Sequence, residues 1–157
     1  AQTGHLVLST LHTNSAAETV TRLLNMGVPA FNVASSVSLI IAQRLARKLC
    51  PNCKKEADIP RETLIKEGFP EDKIGTFKIY TAVGCNLCNG GYKGRVGIYE
   101  VVKKTPALER IIMEEGNSLD ISIQMRKDGF NDLRTSGLIK AMQGITSLEE
   151  VNRVTKD

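Results

Sequence analysis

No tryptophan occurs in this chain, and the aromatic share is only 4%. Stacking platforms for bases are therefore scarce, which weighs against a protein that grips nucleic acid. Long apolar runs are missing too. The most apolar-leaning stretch, 33–42, carries Ser35, Ser36 and Ser38 and stops at Gln43-Arg44. That is far short of the roughly 20 apolar residues of a membrane span. No charged-then-apolar signal segment opens the chain. Charge of one sign is not in large excess: 21 Lys and Arg against 17 Asp and Glu leave +4. So mild an imbalance, with mixed signs, demands neither nucleic acid nor an anionic membrane. Catalytic signatures are absent as well. No G-x-x-x-x-G-K-[ST] loop, G-x-S-x-G elbow or H-E-x-x-H pair occurs. Gly90-Gly91-Tyr92-Lys93-Gly94 has the glycines of a phosphate cradle but not the spacing. The chain opens on Ala1 rather than Met, with Leu6-Val7-Leu8 close behind. It reads as a piece of a longer protein.

What is present is ordinary globular material. The 157 residues make about one domain on the usual ~100–200 residues. A domain of this size buries roughly 70% of its unfolded surface, enough for a core without staples. Hydrophobic residues at 41% and charged residues at 24% exclude a disordered tail, a collagen-like chain and a simple coiled coil.

All four cysteines fall into two C-x-x-C pairs, Cys50/Cys53 and Cys85/Cys88. Three readings compete. A disulfide framework suits small secreted chains, and no secretion signal is seen here. A redox C-x-x-C opens a helix in a βαβ unit, and a second copy would have no purpose. A tetrahedral Cys₄ zinc site is favoured, because two residues between ligands let one tight turn aim both thiolates at a metal ~2.3 Å away. Gly90 and Gly91 permit the positive φ of such a knuckle. Lys54, Lys55 and Lys93 offset the double negative charge. Four thiolates close the shell, so the metal is structural and clips the ends of a long excursion. Cys85→Ser is expected to unfold 50–91 and leave the remainder largely folded.

Local patterns divide the rest. Residues 6–11 read as a buried strand. Ser15-x-x-Glu18 is a capping box for a helix to about Asn25, closed by Gly27 and Pro29. A second helix is predicted over 30–41, and the alternation over 42–49 predicts a strand, with helix as the alternative. Inside the excursion, 60–68 predicts a short helix and 78–83 a strand. Residues 94–102 predict a strand that pairs with 42–49 and puts the zinc module at a hairpin tip. Four helices follow: from Thr105-Pro106 to about Glu115, from Ser118 to about Asp128, 131–143, and one capped by Thr146-x-x-Glu149 running to about Val154.

Few side chains offer chemistry. His5 and His12 bracket the first strand, roughly 23 Å apart at ~3.3 Å per residue if extended, too far for one metal. Ser9 to Asn14 gathers polar groups past a strand end, where ligands of open α/β sheets sit. From local sequence alone, a helix cap at Thr13 and Asn14 with a surface His12 carries more weight. Arg44, Arg47 and Arg95 would suit phosphate across a subunit interface, or simply a solvated sheet face, which is the stronger reading. Glu114-Glu115 and Glu149-Glu150 read as solvated helix residues.

A zinc-ribbon adaptor for nucleic acid is the alternative that these features leave open. A family resemblance points elsewhere. Residues 3–14 (Thr-Gly-His-Leu-Val-Leu-Ser-Thr-Leu-His-Thr-Asn) resemble the histidine box of the ATPases of type II secretion and type IV pilus systems. Residues 21–28, 42–50, 91–100 and 144–155 resemble the same family in the same order. The tetracysteine motif marks its export and pilus-extension branch, and 29–37 is closer to the pilus-assembly members than to the type II secretion members. The resemblance implies an α/β fold, the C-terminal part of a RecA-like ATPase domain with a Cys₄ zinc insertion and a small C-terminal helical subdomain. Its parts would be 1–49 (end of the core), 50–91 (zinc insertion), 92–104 (returning strand) and 105–157 (helical subdomain). It implies a hexameric motor that uses ATP and Mg²⁺, bound mainly upstream, to polymerise pilin. The motor would be cytoplasmic, peripheral at the inner membrane, working on a platform protein and not on nucleic acid. His5, Thr10 and His12 match the histidine box, Thr10 and His12 as candidate γ-phosphate sensors. Arg22 matches a family position, and Arg44 and Arg95 are candidate phosphate or interface contacts. Without a phosphate-binding loop the 157 residues alone should not hydrolyse ATP.

Overall fold

The computed structural model describes residues 1–156. Helices and strands mix in one chain, an α/β composition. Seven helices are seen among the described residues: α1 Ala16–Asn25, α2 Ala30–Ser36, α3 Arg61–Glu67, α4 Pro106–Met113, α5 Ser118–Lys127, α6 Leu133–Met142 and α7 Leu148–Thr155. Four strands accompany them: β1 Leu39–Leu49, β2 Lys55–Glu56, β3 Tyr80–Thr81 and β4 Tyr92–Lys103. β1 pairs with β4, as the alternation over 42–49 and 94–102 predicts, and β2 pairs with β3. At one end Cys50 N–H donates to Gly91 O, and at the other Lys104 N–H donates to Ser38 O. The β1–β4 ribbon is therefore antiparallel. β2 and β3 are antiparallel as well, with Lys55 opposite Thr81.

The chain forms two compact units. The first comprises 1–42 and 99–132, the second 43–98 and the segment from Leu133 onward. In the first unit Ala16, Ala17 and Val20 of α1 pack with Val33, Ala34, Val102, Leu108, Ile112, Ile121 and Met125. Ser15 accepts the Glu18 N–H, as a capping box should, but the Glu18 carboxylate takes the N–H of Asn14 rather than of Ser15. The buried Glu100 carboxylate accepts the Ala16 N–H at 3.1 Å, which serves an orphan donor of the first helical turn. Thr105 caps α4 through the Leu108 N–H and donates its own hydroxyl to Asp128.

In the second unit Leu64, Phe69 and Ile79 share a cluster with Leu138, Ala141, Leu148 and Val151. α6 and α7 approach closely at Gly137, where an added Cβ would lie 2.9 Å from Val151 Cγ1. Only a residue without a side chain permits that spacing.

Several expectations are overturned. Residues 6–11 are not a buried strand: they are coil, and Leu6 and Leu8 are about 90% exposed. A strand exists only when a neighbour takes its hydrogen bonds, and no described strand pairs with this segment. The second helix stops at Ser36, not Ile41, because Val37 is extended and the β-branched pair Ile40-Ile41 joins β1. The strand predicted over 78–83 shrinks to Tyr80–Thr81. α5 is capped by Asn117 in a full capping box with Asp120, so Ser118 is inside the helix. α7 is capped by Ser147, whose hydroxyl accepts the Glu150 N–H. Thr146 instead donates its hydroxyl to Arg47 O at 2.8 Å.

Candidate metal centre

β1 ends at Leu49, and the turn that follows places Cys50 and Cys53 side by side, with Lys54 N–H closing on Cys50 O. Cys85 and Cys88 form the facing knuckle, with Cys88 N–H returning to Cys85 O. The four sulfurs lie within 4.8 Å of one another. Cys50 to Cys85 is 3.9 Å, Cys53 to Cys88 is 3.7 Å and Cys85 to Cys88 is 3.6 Å. A tetrahedron of thiolates ~2.3 Å from a zinc ion has edges of ~3.8 Å. A disulfide requires ~2.05 Å, and all four thiols are free. The donor set therefore fits a tetrahedral cation without rearrangement.

Electrostatics agree. Backbone donation at Leu87 lowers the Cys85 thiol, but burial and the thiols of Cys88, Cys53 and Cys50 win and push it up to about 11. Burial raises Cys88, yet donation from the Cys85 backbone and thiol and from the Gly91 backbone holds it down to about 7. Four adjoining thiols cannot all ionise together unless a cation compensates them. Gly91 is the keystone of the fold here. Its φ is +92°, and an added Cβ would lie 2.6 Å from Ala82 Cβ and 2.8 Å from Val83 N. Its carbonyl meanwhile accepts the Cys50 N–H at 2.8 Å, tying one knuckle to the other.

Of the lysines expected to balance the charge, Lys54 has partners of its own in this unit. Lys54 donates to Gly144 O at 2.9 Å and sits 4.5 Å from the centre of the Tyr80 ring. Lys55 and Lys93 are exposed.

The other sequence candidates do not converge. His5, Thr10 and His12 are exposed on coil, and His5 Nδ1 meets Thr3 Oγ1 at 3.3 Å. Thr13 meets Thr19 rather than capping a helix. Arg22 is exposed on the last turn of α1, Arg44 is half-buried on β1, and Arg95 is exposed on β4. Arg47 is engaged by a carboxylate that sequence reading placed in solvent. Glu150 is 1% exposed. It accepts the Arg47 backbone N–H at 2.9 Å and Arg47 Nη2 at 2.8 Å, and Arg153 donates to it from the other side. The Arg47 guanidinium stacks 4.3 Å over Tyr92, whose hydroxyl meets Ser147 at 2.7 Å. Burial raises the Glu150 carboxyl, but the hydrogen bonds from Arg153 and Arg47 overcome it and hold it down to about 2. A signal for this existed: Ser147-x-x-Glu150 is itself a capping-box spacing, one residue along from the one chosen.

Residues 1–153 match the family described as Type II/IV secretion system protein. The chain is 82% identical over its full length to the Type IV pilus assembly ATPase PilB of Pseudomonas aeruginosa and 60% identical to that of Acinetobacter baylyi. It is 44% identical, over 99% of its length, to the Type II secretion system ATPase E of Vibrio cholerae. It spans only about 28–30% of the length of these relatives. This chain belongs to the type II/IV secretion system protein family.

Proposed function

We propose that the chain is the C-terminal region of a hexameric, RecA-like motor ATPase that powers type IV pilus assembly. The observation that carries this reading is the 82% identity to a pilus assembly ATPase along every residue of the chain. A type II secretion motor is less favoured, since the relative of that name stands at 44%. The cysteines Cys50, Cys53, Cys85 and Cys88 hold one structural zinc, which supplies a fixed crosslink and no open position for a substrate. His5, Thr10 and His12 belong to nucleotide sensing, and Arg22, Arg44 and Arg95 to phosphate or subunit contacts made in the ring. The exposure of His12 and Thr10 leaves them available for such contacts. The phosphate-binding loop and the Mg²⁺ ligands lie elsewhere in the parent protein, so these 157 residues alone do not turn over ATP. The parent works in the cytoplasm, held to the inner membrane through a platform protein. Among the described residues no helix is long and apolar enough to cross a membrane.

Two measurements test this reading. Native mass spectrometry should find one zinc per chain; two disulfides and no metal would remove the site. In the full-length parent, His12→Ala should lower ATP turnover at least about tenfold, the scale of losing one charge-stabilising contact. Unchanged turnover removes His12 from the mechanism.

A further inference from the structure

Within the second unit the residues between the cysteine pairs do not pack on their own. Leu64, Phe69 and Ile79 share one apolar cluster with Leu138, Ala141, Leu148 and Val151, so each side completes the other's core. Polar ties follow the same division. Arg134 of α6 donates to the Glu67 carbonyl and carboxylate, and Lys156 reaches the same carboxylate. The turn 144–147 between α6 and α7 is held from both flanks of the first cysteine pair. Leu49 N–H donates to Ile145 O at 2.9 Å on one flank. On the other, Lys54 donates to Gly144 O at 2.9 Å. The fit there is tight: an added Cβ on Gly144 would lie 3.2 Å from Lys54 Nζ and from the Tyr80 ring.

We propose that metal binding at Cys50, Cys53, Cys85 and Cys88 governs the order of the helix pair α6–α7, with Lys54 as the positioning residue that joins the metal knuckle to the turn between them. The inference rests on the zinc reading above. α6 has ten residues and α7 eight. Helices below ~12–15 residues do not hold in water on their own, so both depend on packing. Part of that packing comes from the excursion, through Leu64, Phe69 and Ile79. Its internal β2–β3 pairing is only two residues long, too short to keep it closed once the crosslink is gone. Losing the metal therefore frees Lys54 and dissolves the shared core, so its effect is not confined to 50–91 as the sequence alone suggests. Coupling of this kind is reciprocal, so weakening the α6–α7 turn must also weaken metal binding.

Hydrogen–deuterium exchange on the full-length protein containing this chain tests the proposal, with zinc counted in each sample. Stripping zinc with a chelator under reducing conditions should make peptides from 133–155 exchange at least about tenfold faster, while α4 and α5 peptides keep their rates. Loss of zinc with faster exchange confined to 50–92 overturns the proposal. No zinc in the protein as purified overturns the metal reading itself, and this proposal with it. Lys54→Met keeps the aliphatic stem without the donor. Loaded with zinc, it should already show faster exchange in 133–155, and stripping should add less than in the parent. Lys54→Arg, which can still donate and stack, should restore the parent behaviour. A Lys54→Met protein identical to the parent removes Lys54 from the link. Should the stripped parent precipitate, the zinc-loaded Lys54→Met comparison decides alone.

Discussion

Glu150 shows how one side chain can be misjudged from its neighbours. Beside the exposed Glu149 on a short helix it looks solvated, yet it is buried between two guanidinium groups. Its burial follows from where α7 begins. With Ser147 as cap, Glu150 is the third residue of the helix, where its own N–H goes to Ser147 and its carboxylate meets Arg47 of β1 and Arg153 of the next turn. The carboxyl is held at about 2, against an ordinary 4.5. A carboxyl depressed on folding stabilises the fold above its unfolded value, and that share is lost as pH falls from about 4.5 towards 2. Glu150→Gln should therefore lower stability at pH 7 by roughly 1–3 kcal/mol, below the ~3–5 typical of fully buried pairs because Arg47 and Arg153 are half-exposed. It should also flatten the acid limb of the stability curve. Denaturant titrations of both proteins at pH 7 and pH 3 check this; a constant difference between them refutes it.

Among the elements, legibility followed how local the cause was. The ends of α1, the C-terminal glycine of α3 and the Thr105 cap of α4 were readable, since each is decided within four or five residues. The paired Cys motifs were readable for the same reason: a knuckle is a local turn. The segment 6–11 and the length of β3 were not, because pairing partners decide strands and sequence does not name them. Gly91 is the element-scale test of the knuckle. Gly91→Ala places a Cβ 2.6 Å from Ala82 Cβ on a backbone at φ +92°, so the turn must distort. Zinc should pass to a chromophoric chelator at least about tenfold faster than from the parent, in line with the effect of disturbing groups that orient ligands. Unchanged transfer would mean that the knuckle absorbs the methyl group.

For the molecule as a whole, the two compact units each combine distant segments. Such units are hard to see in a linear reading, because the contacts that define them cross from 43–98 to 133 and beyond. Family likeness was legible throughout, since it resides in strings of residues rather than in contacts. The exposed segment Leu6 to Leu11 has a further consequence at this scale. It is uncharged, contains no proline and is rich in branched apolar residues, and its backbone has no strand partner among the described residues. Such a stretch is an adhesive edge. In the isolated 157-residue chain it should drive concentration-dependent self-association, visible as rising light scattering. Leu8→Lys should suppress that scattering, while equal scattering from both proteins would place the sticky surface elsewhere. The coil that resembles a histidine box is, in the isolated chain, a colloidal hazard.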